Sequence, residues 1–193
     1  MSGIKFNPEK LQRLNNPERL SDVPPEYIWS KLNLADPDTL IDIGTGTGLF
    51  SVQFLKLLEV GKRRVFACDI SDVMLSWIEE NLCLEYPGIN PVKMQENAVP
   101  LDSGIADLVF MINLHHELEN PVEMLKESFR LLKDGGKMLI VDWKKADMSH
   151  GPPVHLRYSP EDVEKELLLA GFSGIIRFDE LPKHFMVIAE KNR

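Results

Sequence analysis

The sequence predicts an α/β fold: a Rossmann-like, doubly wound, mostly parallel seven-stranded sheet with one antiparallel strand and helices on both faces. Three observations carry this expectation. Short apolar runs alternate with stretches of helical apolar spacing along most of the chain. The first run, Leu40-Ile41-Asp42-Ile43, leads through Gly44-Thr45-Gly46-Thr47-Gly48 into a helix near Leu49, so that backbone N–H groups at a helix start face a ligand. The last two runs, 174–178 and 184–189, are joined by a turn at Leu181-Pro182 short enough for antiparallel pairing.

In chain order, residues 1–34 read as an N-terminal helical arm and 35–193 as the core of a single domain. Phe6, Pro8, Leu11 and Leu14 give the arm one apolar side, and Tyr27, Ile28, Trp29, Leu32 and Leu34 suit a helix. Phe50, Val52, Phe54, Leu55, Leu57 and Leu58 form the helix after the glycine turn, which Gly61 stops. Residues 65–69 are a second strand ending in Asp69, and Ser71 caps a helix through Met74 and Ile78. Cys68 and Cys83, in that strand and that helix, read as small buried thiols. A third strand is expected at 92–95 and a fourth at 105–114. Val122, Leu125, Phe129 and Leu132 mark a helix that ends at a turn, Lys133-Asp134-Gly135-Gly136, before a fifth strand at 138–141. Residues 142–159 are irregular around Gly151-Pro152-Pro153 and long enough to serve as a substrate lid. Ser159-Pro160-Glu161-Asp162 starts the last helix and Gly171 closes it.

Composition excludes several classes. At 193 residues, 44% hydrophobic and 27% charged, the chain suits one soluble globular core. A net charge of −8 argues against a nucleic-acid partner, which needs clustered Lys and Arg. The short run Lys62-Arg63-Arg64 reads as a solvated turn. No apolar run reaches the ~20 residues of a transmembrane segment, and a cytoplasmic location is expected. The expected partners are a small-molecule substrate and, at most, a second copy of the chain as a homodimer.

The ligand follows from the crevice. A dinucleotide fingerprint would place its third glycine at Leu49, and Asp42 would repel a pyrophosphate while attracting an ammonium group. Asp69, about 20 residues beyond the turn, can accept from ribose hydroxyls. S-adenosylmethionine, with a ribose, a sulfonium, an amino-acid end and no phosphate, fits this pattern better than NAD. Six motifs then stand in order: Asp42-Ile43-Gly44-Thr45-Gly46-Thr47-Gly48; Asp69-Ile70-Ser71 with Met74; Glu96-Asn97-Ala98 before Pro100-Leu101; Asn113-Leu114-His115-His116; Leu131 to Gly136; and Ala170-Gly171-Phe172.

Through them the chain resembles the class I S-adenosylmethionine-dependent methyltransferases, in particular the small-molecule branch that includes the ubiquinone and menaquinone C-methyltransferases. The resemblance implies an enzyme that transfers a methyl group to a small molecule, with S-adenosylmethionine as cofactor. It places Asp42, Gly44, Thr45, Gly46 and Gly48 at the methionine end, Asp69 at the ribose, Ile70 and Met74 beside the adenine, and Asn97 with Ala98 at the adenine edge. Asn113 and Leu114 border the methionine moiety. Asn97 departs from the aspartate of many relatives, so an amide oxygen would meet the adenine amino group. The alternative is a catalytically silent relative that binds the cofactor and acts through a protein partner.

Methyl transfer needs alignment and exclusion of water, and a base only where the acceptor loses a proton. His116, after the fourth strand, is the candidate for acceptor contact or base. Glu117 completes no zinc motif because position 120 is Asn, and no metal is assigned. His150, His155, Arg157 and Tyr158 could hold an anion or brace the long loop; Asp142 and Trp143 could line the acceptor pocket or cover it. Met94, Met111, Met124 and Met138 read as core. The arm from Phe6 to Leu14 and the next helix are a candidate lid.

Overall fold

A computed structural model describes residues 11–61 and 63–192; the expectations for Phe6 and Pro8 lie outside them. Seven strands, β1 (Thr39–Ile43), β2 (Arg64–Asp69), β3 (Ile89–Lys93), β4 (Ala106–Ile112), β5 (Leu132–Trp143), β6 (Ser173–Phe178) and β7 (His184–Glu190), form one sheet in the order β3-β2-β1-β4-β5-β7-β6. Only β7 runs against its neighbours β5 and β6. Among the described residues seven α-helices accompany them: α1 (Leu11–Leu14), α2 (Glu18–Asp22), α3 (Pro25–Leu32), α4 (Leu49–Leu57), α5 (Asp72–Asn81), α6 (Pro121–Leu131) and α7 (Pro160–Leu169). The Rossmann-like, doubly wound arrangement expected from the sequence is the one observed.

Strand periodicity of two builds a core on each face. Leu40, Leu108, Phe110, Leu139 and Met186 point to α3, α4 and α5, where they meet Ile28, Leu32, Phe54 and Ile78. Ile41, Val109, Met111, Ile140 and Val187 point the other way, to Leu125 and Leu131 of α6 and Val163 and Leu167 of α7. Because both faces are covered, the central strands read as continuous apolar runs. The chain leaves β1 for β2 and β3 on one side and then crosses to β4 on the other. The switch point, between β1 and β4, opens a crevice at the C-terminal strand ends.

Several boundaries differ from expectation for physical reasons. β3 begins at Ile89 and contains Pro91, which an edge strand accommodates because the missing N–H leaves no ladder bond broken. β4 stops at Ile112 because Asn113 takes φ +58. The expected turn at Lys133–Gly136 is a bulge inside β5: the register passes from Ala106↔Leu132 to Leu108↔Lys137, and Gly135 and Gly136 pair with Lys191 beyond β7. Cys83 lies after α5 and is half-buried, whereas Cys68 is buried as expected. The caps match: Ser71 Oγ accepts from Met74 N–H, and Ser159 and Asp162 form a reciprocal capping box. Gly171, at φ +98, closes α7 with Phe172 N–H bonded to the Leu167 carbonyl.

Candidate active site

At the switch point lies a cavity of about 290 Å³. Asp42, Gly44, Thr45, Gly46, Asp69, Ile70, Met74, Asn97, Asn113 and Leu114 all line it, as does Met94, which packs as core and also forms part of the wall. Gly48, Ala98 and His116 are not in the lining. Gly48 instead begins α4 at φ +73, where a Cβ would meet Leu82 Cδ1 at 2.8 Å, so its role is the close approach of α4 and the end of α5. Ala98 forms a small bridge with Gln95.

The glycine turn is held by acids. Asp69 accepts from Gly46 N–H at 2.9 Å through one oxygen and from Ser71 N–H at 2.8 Å through the other, which ties the turn to the end of β2. Burial raises its pKa against the pull of these N–H bonds. A carboxylate has about four acceptor positions, so capacity remains for hydroxyls in the cavity. Asp42 Oδ2 accepts from Ser51 Oγ at 2.6 Å and Thr45 Oγ1 at 2.8 Å. Its burial pushes its pKa up to about 7, with the hydroxyls and the charge of Arg19 opposing and Asp69 reinforcing. The turn's positive φ values, +69 at Gly44 and +57 at Gly46, are open to glycine at no steric cost.

Leu14 belongs to the arm read as a candidate lid, whereas Arg19 was not identified from the sequence. Leu14 Cδ1 would lie 3.0 Å from a Cβ on Gly46, so α1 covers the turn. Arg19 lines the cavity, donates to the Leu14 carbonyl at 2.7 Å and lies 5.2 Å over the Phe50 ring. Burial lowers it to about 10, with Asp42 opposing and Arg13 adding to the fall. An arginine in a short polar helix has no spacing signal. Ser51 had one: it is a hydroxyl among apolar residues on the buried face of α4.

Beyond β4, Asn113 presents a buried Oδ1 with no hydrogen-bond partner among the described residues. The two histidines diverge. His115 is buried, 2.7 Å from Glu166 through Nε2, with its ring edge on Tyr158, and so joins this loop to α7. His116 donates from Nδ1 to Asp142 at 2.8 Å, and its backbone N–H reaches the same carboxylate. It lines a second, open basin shared with α7, and Nε2 lies 3.7 Å from Glu117 Oε1. Glu117 lines both spaces. His116 lies outside the lining of the first cavity, in the wall of the second, and its neighbour Glu117 connects the two. Asp142 sits behind His116, not in the pocket wall.

Burial works to lower the pKa of His116, and the bond and charge of Asp142 outweigh it, so the net shift is upward. The imidazole is expected to titrate above its ordinary value, and Asp142→Asn to lower its midpoint by removing the main opposition to burial, with the Glu117 charge remaining. Histidine ring resonances followed by NMR check this; an unchanged midpoint in Asp142→Asn contradicts it. This raised pKa contributes stability that is fully present below about 6.5 and is lost as pH climbs through the folded value.

The long loop is braced rather than poised as a free lid. Arg157, 3% exposed, donates to the carbonyls of Pro152, Lys144, Ala146 and His150. It is spent on the loop and does not face the cavity as an anion holder. Trp143 lies against Gly151 and 4.3 Å from the His184 ring, which makes it a cover and not a pocket wall. Among the described residues no group of three His, Cys, Asp or Glu side chains is arranged to hold a metal, and no helix is long and apolar enough to cross a membrane.

A profile of a methyltransferase domain matches residues 41–140, more than half of the chain. An S-adenosylmethionine-dependent methyltransferase from Aquifex aeolicus superimposes with a TM-score of 0.90 at 31% identity, over 97% of this chain and 100% of the other. Human N-acetylserotonin methyltransferase, in complex with S-adenosylmethionine, shares the fold at 17% identity and TM-score 0.76, over 96% of this chain and 56% of its own. Ribosomal protein L11 methyltransferase from Streptococcus mutans is 30% identical over 103 residues, 53% of this chain and 31% of that protein. The chain thus spans only about a third of that relative's length. Profile, fold and crevice agree: the chain belongs to the class I methyltransferase-domain family.

Proposed function

We propose that the protein transfers a methyl group to a small-molecule acceptor by in-line displacement, with S-adenosylmethionine as donor. The observation that carries this reading is the pairing of Asp42 and Arg19 in one cavity, with Asp42 bonded by hydroxyls and Arg19 by a carbonyl. A carboxylate and a guanidinium so placed suit the ammonium and carboxylate of an amino-acid end. Five acids against one arginine in the lining also suit a cationic ligand and disfavour a pyrophosphate.

When bound, the cofactor supplies a methyl carbon already activated by a sulfonium leaving group. The chain's residues then bind and align. Asp69 accepts from the ribose hydroxyls, Asn97 and Met74 meet the base, Asp42 and Arg19 hold the amino-acid end, and Leu14 with Leu114 excludes water from the turn. The motif likeness to the quinone C-methyltransferases concerns this donor half of the site.

Labelled methyl groups from S-adenosylmethionine, offered to a metabolite extract and to extract protein, are expected in the low-mass fraction. Label confined to protein would contradict the small-molecule acceptor. The arm is read as a lid over the donor, so S-adenosylhomocysteine is expected to slow tryptic cleavage at Arg13 and Arg19 severalfold. Equal cleavage with and without it would show that the arm only covers the sheet.

A further inference from the structure

We propose that the methyl acceptor carries a phenolic hydroxyl, that its ring lies in the second basin, and that His116 Nε2 takes the hydroxyl proton as the oxygen attacks the methyl carbon. This rests on the reading of the first cavity as the S-adenosylmethionine site. The second basin, about 810 Å³, shares Glu117, Leu118 and Glu119 with that cavity, so the two spaces meet along one loop. His116 Nε2 lies 3.7 Å from Glu117 Oε1, which measures how near the imidazole stands to a side chain that walls the donor space. Leu118, Leu156 and Tyr158, each half-buried, give the basin apolar surface of the kind an aromatic ring covers.

The imidazole is built as a base toward the basin. Buried Asp142 accepts from Nδ1 at 2.8 Å and from the His116 backbone N–H at 3.0 Å, which fixes the ring and leaves the lone pair of the neutral imidazole on Nε2. At 3.7 Å Glu117 is outside hydrogen-bond range of Nε2, yet Nε2 is not one of the enclosed polar atoms that lack a partner among the described residues; it therefore keeps accessible surface in the basin that His116 lines. The carboxylates around it are engaged. Glu166 is 2.7 Å from His115 Nε2, Asp162 accepts from Ser159 Oγ at 2.7 Å, and Glu117 has an interaction of its own. No proton step runs through them.

A base has work to do only where the attacking atom holds a proton that it does not shed in water. A carboxylate, a thiolate or a neutral amine attacks with a lone pair it already has. A phenol, with a pKa of about 10, is within reach of an imidazole, whereas an aliphatic hydroxyl, close to the ~15.7 of water, is not. The proton passes from the phenolic O–H to Nε2, the oxygen lone pair forms the O–C bond, and the C–S bond breaks with its electron pair going to sulfur. The products are an aryl methyl ether, S-adenosylhomocysteine and the His116 imidazolium, which releases its proton to the basin. Asp142 steadies that imidazolium and is a positioning residue.

The test follows labelled methyl from S-adenosylmethionine into a metabolite extract, with the full chain as catalyst. The labelled low-mass product is expected to carry aromatic absorbance, to pass into organic solvent at both pH 2 and pH 12, and to release labelled methyl iodide in hydriodic acid. Label held in water at pH 2 marks an amine, label freed by mild alkali marks an ester, and label that resists hydriodic acid marks a carbon-bound methyl; each overturns the proposal. His116→Gln is expected to keep S-adenosylhomocysteine binding within about threefold, since His116 is outside the lining of the first cavity, while turnover falls at least about a hundredfold at pH 7. The pH profile separates a base from a brace. Burial lowers the imidazole's pKa, but the bond and charge of Asp142 and the charge of Glu117 raise it more, against Arg157. Glu166 and Lys165 of α7 face it across the basin. Wild-type turnover is expected to rise through this raised value and level off; in His116→Gln it climbs about tenfold per pH unit toward the phenol's own pKa. An equal loss at every pH would mark a merely structural role and overturn the proposal. A flat S-adenosylhomocysteine titration of the wild type is a separate result and removes the donor reading instead.

Discussion

Asp42→Asn is expected to weaken S-adenosylhomocysteine binding about a hundredfold at pH 8 while raising the melting temperature of the ligand-free protein. Both effects come from one buried charge. With its pKa pushed up to about 7 by burial, Asp42 is ionised at pH 8 at a cost to the folded state. The sign follows from linkage: between the unfolded value near 3.9 and the folded value, the native state binds more protons, so stability falls as pH rises through that window and levels off above it. The amide removes the slope. Ser51 and Thr45 can rotate their hydroxyls to suit it, so a gain of about 2 kcal/mol, roughly 4–8 °C for a chain of this size, is expected at pH 8. Binding moves the other way, because an ammonium loses its charge partner in a partly buried site, worth about 2–5 kcal/mol. Wild-type affinity is expected to drop up to tenfold per pH unit below 7, since binding then displaces a proton. Calorimetry and thermal melts across pH 5–9 check this; a pH-independent affinity contradicts it.

Arg157→Leu is expected to be the most destabilising change outside the core. It keeps the aliphatic bulk beside Trp143 but removes the donors to four carbonyls that close the 144–157 loop. Charged hydrogen bonds are worth about 1.5–3 kcal/mol each and are not additive here, so a loss of about 4 kcal/mol, roughly 8–16 °C, is expected. Arg157 does not line the cavity at the switch point, so S-adenosylhomocysteine binding is expected to stay within about threefold at a temperature where the variant is folded. A melting temperature within 2 °C of wild type, or a selective loss of binding, would contradict the bracing role.

The glycine turn, Asp69, Ser71 and the capping box were legible because each rests on local chemistry: a positive φ, an acid at a strand end, a hydroxyl before a helix. The mostly parallel α/β sheet was legible in the alternation of periods, while the strand order comes from the structure. What escaped was tertiary. Arg19 reaches the cavity only through the placement of α2 beside Phe50, and a five-residue helix carries little periodic signal. His115 and His116 are adjacent in sequence, yet one ties to Glu166 and the other to Asp142, a division set by α7 and β5. The Lys133–Gly136 turn is a bulge because Gly135 and Gly136 pair with Lys191, just beyond β7. Arg157 was open to two readings, anion holder or loop brace, and the carbonyls around it make it the brace.

Calorimetric titration of the full chain with S-adenosylhomocysteine and, separately, with NADH tests the central claim most directly. One S-adenosylhomocysteine is predicted to bind per chain with micromolar or tighter affinity at pH 8, and NADH not to bind. Binding of NADH, or a flat S-adenosylhomocysteine titration of folded protein, would contradict the account of Asp42, Arg19 and Asp69 as the frame for an amino-acid-bearing sulfonium.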